Sequence, residues 1–402
     1  MRKIDPAILV VLGGVSAALH VGKLPTALPV LQETLGVTLV EAGFLLSLVQ
    51  LAGMTLGLLV GLAADQLGTK RTMVWGLAIV SVASLLGAGA TDTATLMVLR
   101  AAEGFGFLLA SMPAPGLIRR LVDPSRITLS LGLWGAYMPI GTAMALLFGP
   151  LAIAWIGWHA WWVLLGAISA AMCAWLWLVI PADDIADRPD ESPGRNGWPQ
   201  RLRITLSAQG PWLMALSFAF YSSQWLAVIG FLPSVYTQGG LAPALAGAAT
   251  AFAAAVNIVG NVAAGRLLHR GIKPQRLLYA GFLAMAAGGF LTFAALPGDP
   301  AVVALIRFAG VLLFSMIGGL IPGTLFSLAV RVSPGERTIS TTMGWMQQWS
   351  AFGQFLGPPA VAWVAMRVGG WTWSWLVTAG CAFAGIATAF MVGRLLQKHH
   401  TE

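Results

Sequence analysis

Between residues 6 and 395 the chain is a nearly continuous series of apolar stretches parted by short polar turns. A helix needs roughly 20 apolar residues to cross the hydrocarbon core of a bilayer. Lipid offers backbone groups no partner, so such stretches close their hydrogen bonds internally, as helices. Charged residues are 9% of the 402 and hydrophobic residues 57%, far from the roughly one-quarter charged of a soluble domain. Twelve spans are predicted, at 6–31, 38–64, 71–91, 93–118, 128–152, 159–180, 209–236, 241–268, 276–297, 300–330, 338–366 and 371–395. The polar gap 181–208 carries Pro, Asp, Glu and Arg with no apolar period and reads as a linker. The predicted organisation is therefore a six-helix half at 1–180, a linker at 181–208 and a second six-helix half at 209–402, all-α throughout.

Cationic residues set the expected orientation. Arg2, Lys3, Lys70, Arg71, Arg119, Arg120, Arg126, the linker arginines, Arg266, Arg270, Lys273, Arg276, Arg331, Arg337, Arg394 and Lys398 fall on one side. The other holds Arg367 with Glu33, Glu41, Asp92 and Asp299. The positive-inside rule puts both termini and the linker in the cytoplasm. The formal charge of +8 thus reports topology, and no nucleic-acid partner is expected. The apolar stretch from Pro6 is too long for a signal peptide and lacks a small-x-small cleavage site, so it reads as a retained span. Cys173 and Cys381 sit in apolar runs, without metal-ligand spacing or a disulfide framework.

The halves echo each other. Gly149-Pro150 and Gly357-Pro358 are 208 residues apart, Arg100 and Arg307 are 207 apart, and Pro124 and Pro334 are 210 apart. Parallel halves of this kind imply binding between them near the midplane.

After the second span comes Gly61-Leu-Ala-Ala-Asp65-Gln-Leu-Gly68-Thr-Lys70-Arg71. This resembles the signature loop between helices 2 and 3 of the major facilitator superfamily, with Gln66 where arginine is common. The resemblance covers essentially the whole chain. It implies a gating role for Gly61, Asp65, Gly68, Lys70 and Arg71, with Arg126 as a partner for Asp65. The second-half counterpart, Gly265 to Gly271, carries His269 in place of the acid. Arg100-Ala-Ala-Glu103-Gly104 is similar to the fourth-helix motif of the family, whose arginine is tied to proton coupling or substrate. The short loops are similar to those of the bacterial cyanate and nitroimidazole branch, which implies a bacterial inner membrane.

The resemblance also puts spans 1, 4, 7 and 10 around the cavity, and these carry His20 and Lys23, Arg100 and Glu103, Gln224, and Arg307. His20 and Lys23 are i, i+3 and share a face. A charge at the bilayer centre costs at least roughly 2.5–3.5 kcal/mol, so these side chains are expected to face a wet cavity. Surplus positive charge there suits an anionic substrate. Arg307 lies seven residues into its span and has snorkelling as an alternative. Glu103 is the expected proton carrier, since burial favours its neutral form and Arg100 its ionised form; His20 is the second candidate. Trp134, Tyr137, Asn257 and Gln347 complete the predicted substrate set, with Asn261, Trp345, Gln348 and Gln354 behind them. Trp155, Trp158, Trp161 and Trp162 read as an interfacial belt. The expectation is a monomeric, proton-coupled transporter taking up a small anion, without cofactor or metal. The alternative is proton-antiport efflux of drugs or a metabolite. Gly149-Pro150 with Ala145 in place of a glycine departs from the exporter pattern. No P-loop appears, and five histidines form no catalytic or metal cluster.

Overall fold

A computed structural model describes residues 5–123, 126, 130, 133–183, 198–335 and 338–398, without the side chains of 61–66, 198 and 398. Every regular element among them is helical. By its contacts the chain forms two compact units, Met1–Pro193 with Leu232–Ala251, and Gly194–Phe231 with Phe252–Glu402.

In the first unit α1 (Pro6–Leu35) starts on Asp5, whose carboxylate accepts from Ala7 N, and stops at Gly36 with φ 65°. α2 (Leu39–Ser47) runs through a 3₁₀ turn at Leu48–Gln50 into α3 (Leu51–Leu67). There follow α4 (Thr69–Gly87), α5 (Thr93–Ser111), the short α6 (Ala114–Leu121) and α7 (Tyr137–Val179). α7 is two predicted spans, the fifth and sixth, run together: Gly157, at φ 77°, turns the chain between them, a conformation that costs glycine little. α1 lies along α7, and α4 packs on both α5 and α7.

The helices of the second half are α8 (Trp198–Ser207), α9 (Gln209–Gln238), α10 (Pro243–Ala255), α11 (Asn257–His269), α12 (Pro274–Phe293), α13 (Pro300–Gly318), α14 (Leu320–Val332), α15 (Ile339–Val368) and α16 (Trp375–Lys398). α12 packs on α13 and α16, as α4 does on α5 and α7. Both sets are closed by facing glycines. A Cβ on Gly76 of α4 would sit 2.6 Å from Gly106 O of α5, and one on Gly288 of α12 would sit 2.5 Å from Gly310 O of α13. The repeat is therefore one of packing as well as of sequence.

Among the described residues ten helical stretches are long and apolar enough to cross a membrane. One of them, Leu133–Val179, holds the two spans joined at Gly157. The 30-residue α15 lies outside the ten; Gln347, Gln348, Gln354 and its serines and threonines dilute its apolar character. Three of the four acids expected on the sparsely charged side, Glu41, Asp92 and Asp299, cap helices. Thr38 and Glu41 form a capping box, Asp92 accepts from Thr95 N at 2.8 Å, and Asp299 accepts from Ala301 N at 2.9 Å. These carboxylates satisfy N–H groups the helices leave without partners.

Candidate functional site

The charged residues of spans 1 and 4 meet inside the first unit. His20 and Lys23 project from one face of α1, and Arg100 and Glu103 from one face of α5; their exposures are 0%, 0%, 2% and 2%. The ammonium of Lys23 has three N–H bonds and three acceptors. They are the Glu103 carboxylate (Oε1), Ser84 Oγ at 2.9 Å and His20 Nδ1 at 3.2 Å. With Nδ1 accepting, the His20 proton sits on Nε2, which donates to Ser169 Oγ at 2.9 Å. Arg100 Nη1 donates to Glu103 Oε2 at 2.8 Å and to the carbonyl of His20 at 2.5 Å. Its Nε donates to Leu45 O at 3.1 Å, one turn before the 3₁₀ break at Leu48–Gln50. Arg100 Nη2 has no partner among the described residues. The Trp162 ring lies 4.6 Å from Lys23 Nζ, a desolvated cation–π contact worth about 2 kcal/mol.

Ionised Glu103 thus joins two cations. With His20 neutral the cluster carries one surplus positive charge. The predicted Arg100–Glu103 pairing is present, but a wet setting is not: none of the four side chains reaches solvent in this structure. Their burial is tolerable because nearly every hydrogen-bonding atom is matched. Sequence reasoning missed three of the partners. Ser84 and Ser169 are hydroxyls on predominantly apolar spans, with nothing in the sequence to single them out. Trp162 was expected in an interfacial belt, yet it is 1% exposed, and Trp158 and Trp161 are buried at 2% and 4%. Of the four, only Trp155 is exposed, at 86%. The α1–α7 contact places the other three inward.

The other predicted substrate residues lie elsewhere. Trp134 stacks on Tyr137 with centroids 4.1 Å apart and packs on Gly14 of α1. In the second unit Asn257 Nδ2 donates to Ser315 O at 2.8 Å and to Tyr221 Oη at 3.0 Å. Asn261 Nδ2 donates to Asn257 Oδ1 at 2.9 Å. Gln224 is 1% exposed and donates to Phe220 O at 3.1 Å, while its Oε1 has no partner among the described residues. Gln347 is exposed. Arg307 is half-buried and donates to Ala294 O at 3.4 Å. At the 207-residue offset that relates Arg100 to Arg307, the counterpart of Glu103 is Gly310. The repeat therefore kept the arginine and not the acid.

The expected pairing of Asp65 with Arg126 rests on a side chain outside the described ones. Arg126 pairs with Asp5 at 2.8 Å. Gly61 and Asp65 lie among the residues whose side chains are not described. Gly68, at φ 98°, leads into α4, and a Cβ there would strike Asp183. Asp183, the third residue beyond Ile180, accepts from the N–H groups of Lys70 and Arg71, both at 3.0 Å, and from Arg120 Nη1 at 2.7 Å. Lys70 Nζ donates to Trp177 O at 2.8 Å and to Ile180 O at 2.5 Å. The sequence motif thus works with an acid beyond the sixth span, tying α4, α6 and the end of α7 together. Partial burial of Asp183 would push its carboxyl up, but the N–H groups of Arg71 and Lys70 and the Arg120 guanidinium outweigh it and hold the carboxyl below the usual range. A depressed carboxyl stabilises above its unfolded pKa, near ~3.9, and loses that contribution as pH falls through the folded value. Asp183→Asn is expected to lower stability by about 1–3 kcal/mol at pH 7. Thermal unfolding at descending pH should show the deficit shrinking below about pH 4; a deficit unchanged by acid would contradict the clamp.

Known proteins resemble this chain in sequence and in fold. Over 365 residues the chain is 27% identical to the puromycin resistance protein pur8 of Streptomyces alboniger, covering 77% of this chain and 72% of that one. It is 30% identical over 167 residues to the methylenomycin A resistance protein of Streptomyces coelicolor, spanning 40% of this chain and only 34% of that protein. A bacterial homologue of the human lysosomal transporter Spinster superposes with a TM-score of 0.78 at 15% identity, covering 98% of both chains; at that identity the likeness is one of fold. The family model of the Major Facilitator Superfamily matches residues 10–358, and the chain belongs to that superfamily of transporters.

Proposed function

We propose that this chain is a proton-coupled exporter of an uncharged or weakly charged organic compound, with the Glu103 cluster as its proton site. The observation that carries this reading is the full commitment of Lys23: its three N–H bonds go to Glu103, Ser84 and His20. A lysine so occupied is poorly placed to hold an anionic substrate. A proton arriving on Glu103 Oε1 removes the charge that binds Lys23 and Arg100 together, and so loosens α1 from α5. The 3₁₀ turn beside Leu45 is a site where such a change can be absorbed. Losing the proton restores the lock. Proton movement is thereby linked to a two-state contact between helices, which is what coupling requires. The resistance proteins among the relatives support export. The residues matched to the family loop and the cationic side of the chain support an inner-membrane setting with cytoplasmic termini.

A second reading, uptake of a small anion with protons, is favoured by the surplus positive charge and the free Arg100 Nη2. Inside-out vesicles separate the two. Under an acid-inside gradient, export predicts uptake of puromycin into the lumen, abolished by an uncoupler. Gradient-driven movement of benzoate in right-side-out vesicles, with puromycin not transported, would overturn the export reading.

A further inference from the structure

A cavity of about 370 Å³ lies in the first unit beside the Gly157 turn of α7. Its wall is mostly apolar, built around Pro29, Pro150, Ile153, Pro233 and Pro243, with Trp158 on one side and no charged aliphatic side chain. Three threonines also line it, but their hydroxyl protons are already donated: Thr26 donates to Lys23 O at 2.8 Å, Thr34 to Val30 O at 2.8 Å and Thr237 to Pro233 O at 2.9 Å. Trp158 is different. It is 2% exposed, and its indole Nε1–H has no acceptor among the described residues. A buried donor without a partner is costly, and a bound molecule can supply the acceptor. The exposed His159 ring, which also lines the cavity, stacks on Trp158 with centroids 3.8 Å apart.

We propose that this cavity is a binding site for a planar, uncharged, largely apolar molecule carrying one hydrogen-bond acceptor, taken by the Trp158 indole. The proposal rests on the export reading for its role: such a molecule is cargo. The cavity is also in contact with the proton site. Trp158 meets Trp162 edge-on at 5.4 Å, and the Trp162 ring faces Lys23. Thr26 reaches the same lysine through its carbonyl.

The test is binding of 2-acetylnaphthalene and 2-ethylnaphthalene to the full chain in nanodiscs, against empty nanodiscs. The two are alike in shape, and only the first has an acceptor. The ketone is expected to bind wild type about five- to tenfold tighter. Trp158→Phe, which keeps a ring and removes the donor, should erase that preference and leave the hydrocarbon's affinity unchanged. Ala154→Trp, which fills the cavity, should abolish saturable binding of both. Equal affinity of the two probes for wild type, a preference that survives Trp158→Phe, or binding that survives Ala154→Trp would each overturn the proposal. Binding is read without a gradient, so failure of the export reading alone would leave this result standing.

Discussion

Glu103→Gln is expected to abolish gradient-driven transport and to lower stability by about 3–5 kcal/mol. Both effects come from the same charge count. Wild-type Glu103 neutralises one of two cations held at 0–2% exposure. Glutamine nearly preserves the shape but leaves Lys23 and Arg100 with two positive charges in a sealed site. Removing one partner of a buried ion pair strands the other, and that is more harmful than never having had the pair. For transport, glutamine mimics the protonated acid and cannot release a proton. Exchange of cargo down its own gradient should persist, while accumulation driven by the proton gradient should fall to background. Thermal unfolding in nanodiscs and paired exchange and accumulation assays measure the two effects. A variant as stable as wild type would mean that the cluster is not held together by Glu103.

The second large effect is a rescue. Lys23→Met with Glu103→Gln returns the cluster to one surplus positive charge, with an apolar chain of similar length over Trp162. Replacing both members of a buried pair is often close to neutral. Stability is therefore expected to recover to within about 1–2 kcal/mol of wild type, while proton-driven accumulation stays absent. The double variant thus separates folding from coupling. Additive loss, with the double variant weaker than either single one, would show that the two side chains do not act as a unit.

Much of the fold was legible because lipid leaves a chain few options. The apolar stretches became helices at nearly the predicted positions, and Arg100 with Glu103, like His20 with Lys23, was readable from i, i+3 spacing. Three things were not. The fifth and sixth spans merge through Gly157, since a positive φ at one glycine leaves no mark on hydropathy. Trp158, Trp161 and Trp162 point inward because α7 lies along α1, and composition cannot tell an interfacial tryptophan from one packed under a lysine. The loop after the second span has a partner that the sequence did not point to. Asp183, an acid in a polar segment that looked like plain linker, became visible only once the ends of α4, α6 and α7 were brought together. The retained Arg307 and the Gly310 that faces Gly288 show the same limit: the repeat is plain in sequence, while the loss of the acid from one half gains meaning only from the geometry of the other.

The most direct measurement of whether Glu103 is the coupling site is proton flux in proteoliposomes with a trapped pH dye, recorded as cargo moves through wild type and through Glu103→Gln. The account expects cargo-dependent proton movement in wild type and cargo exchange without it in the variant. Cargo-dependent proton flux that continues unchanged in Glu103→Gln would contradict it.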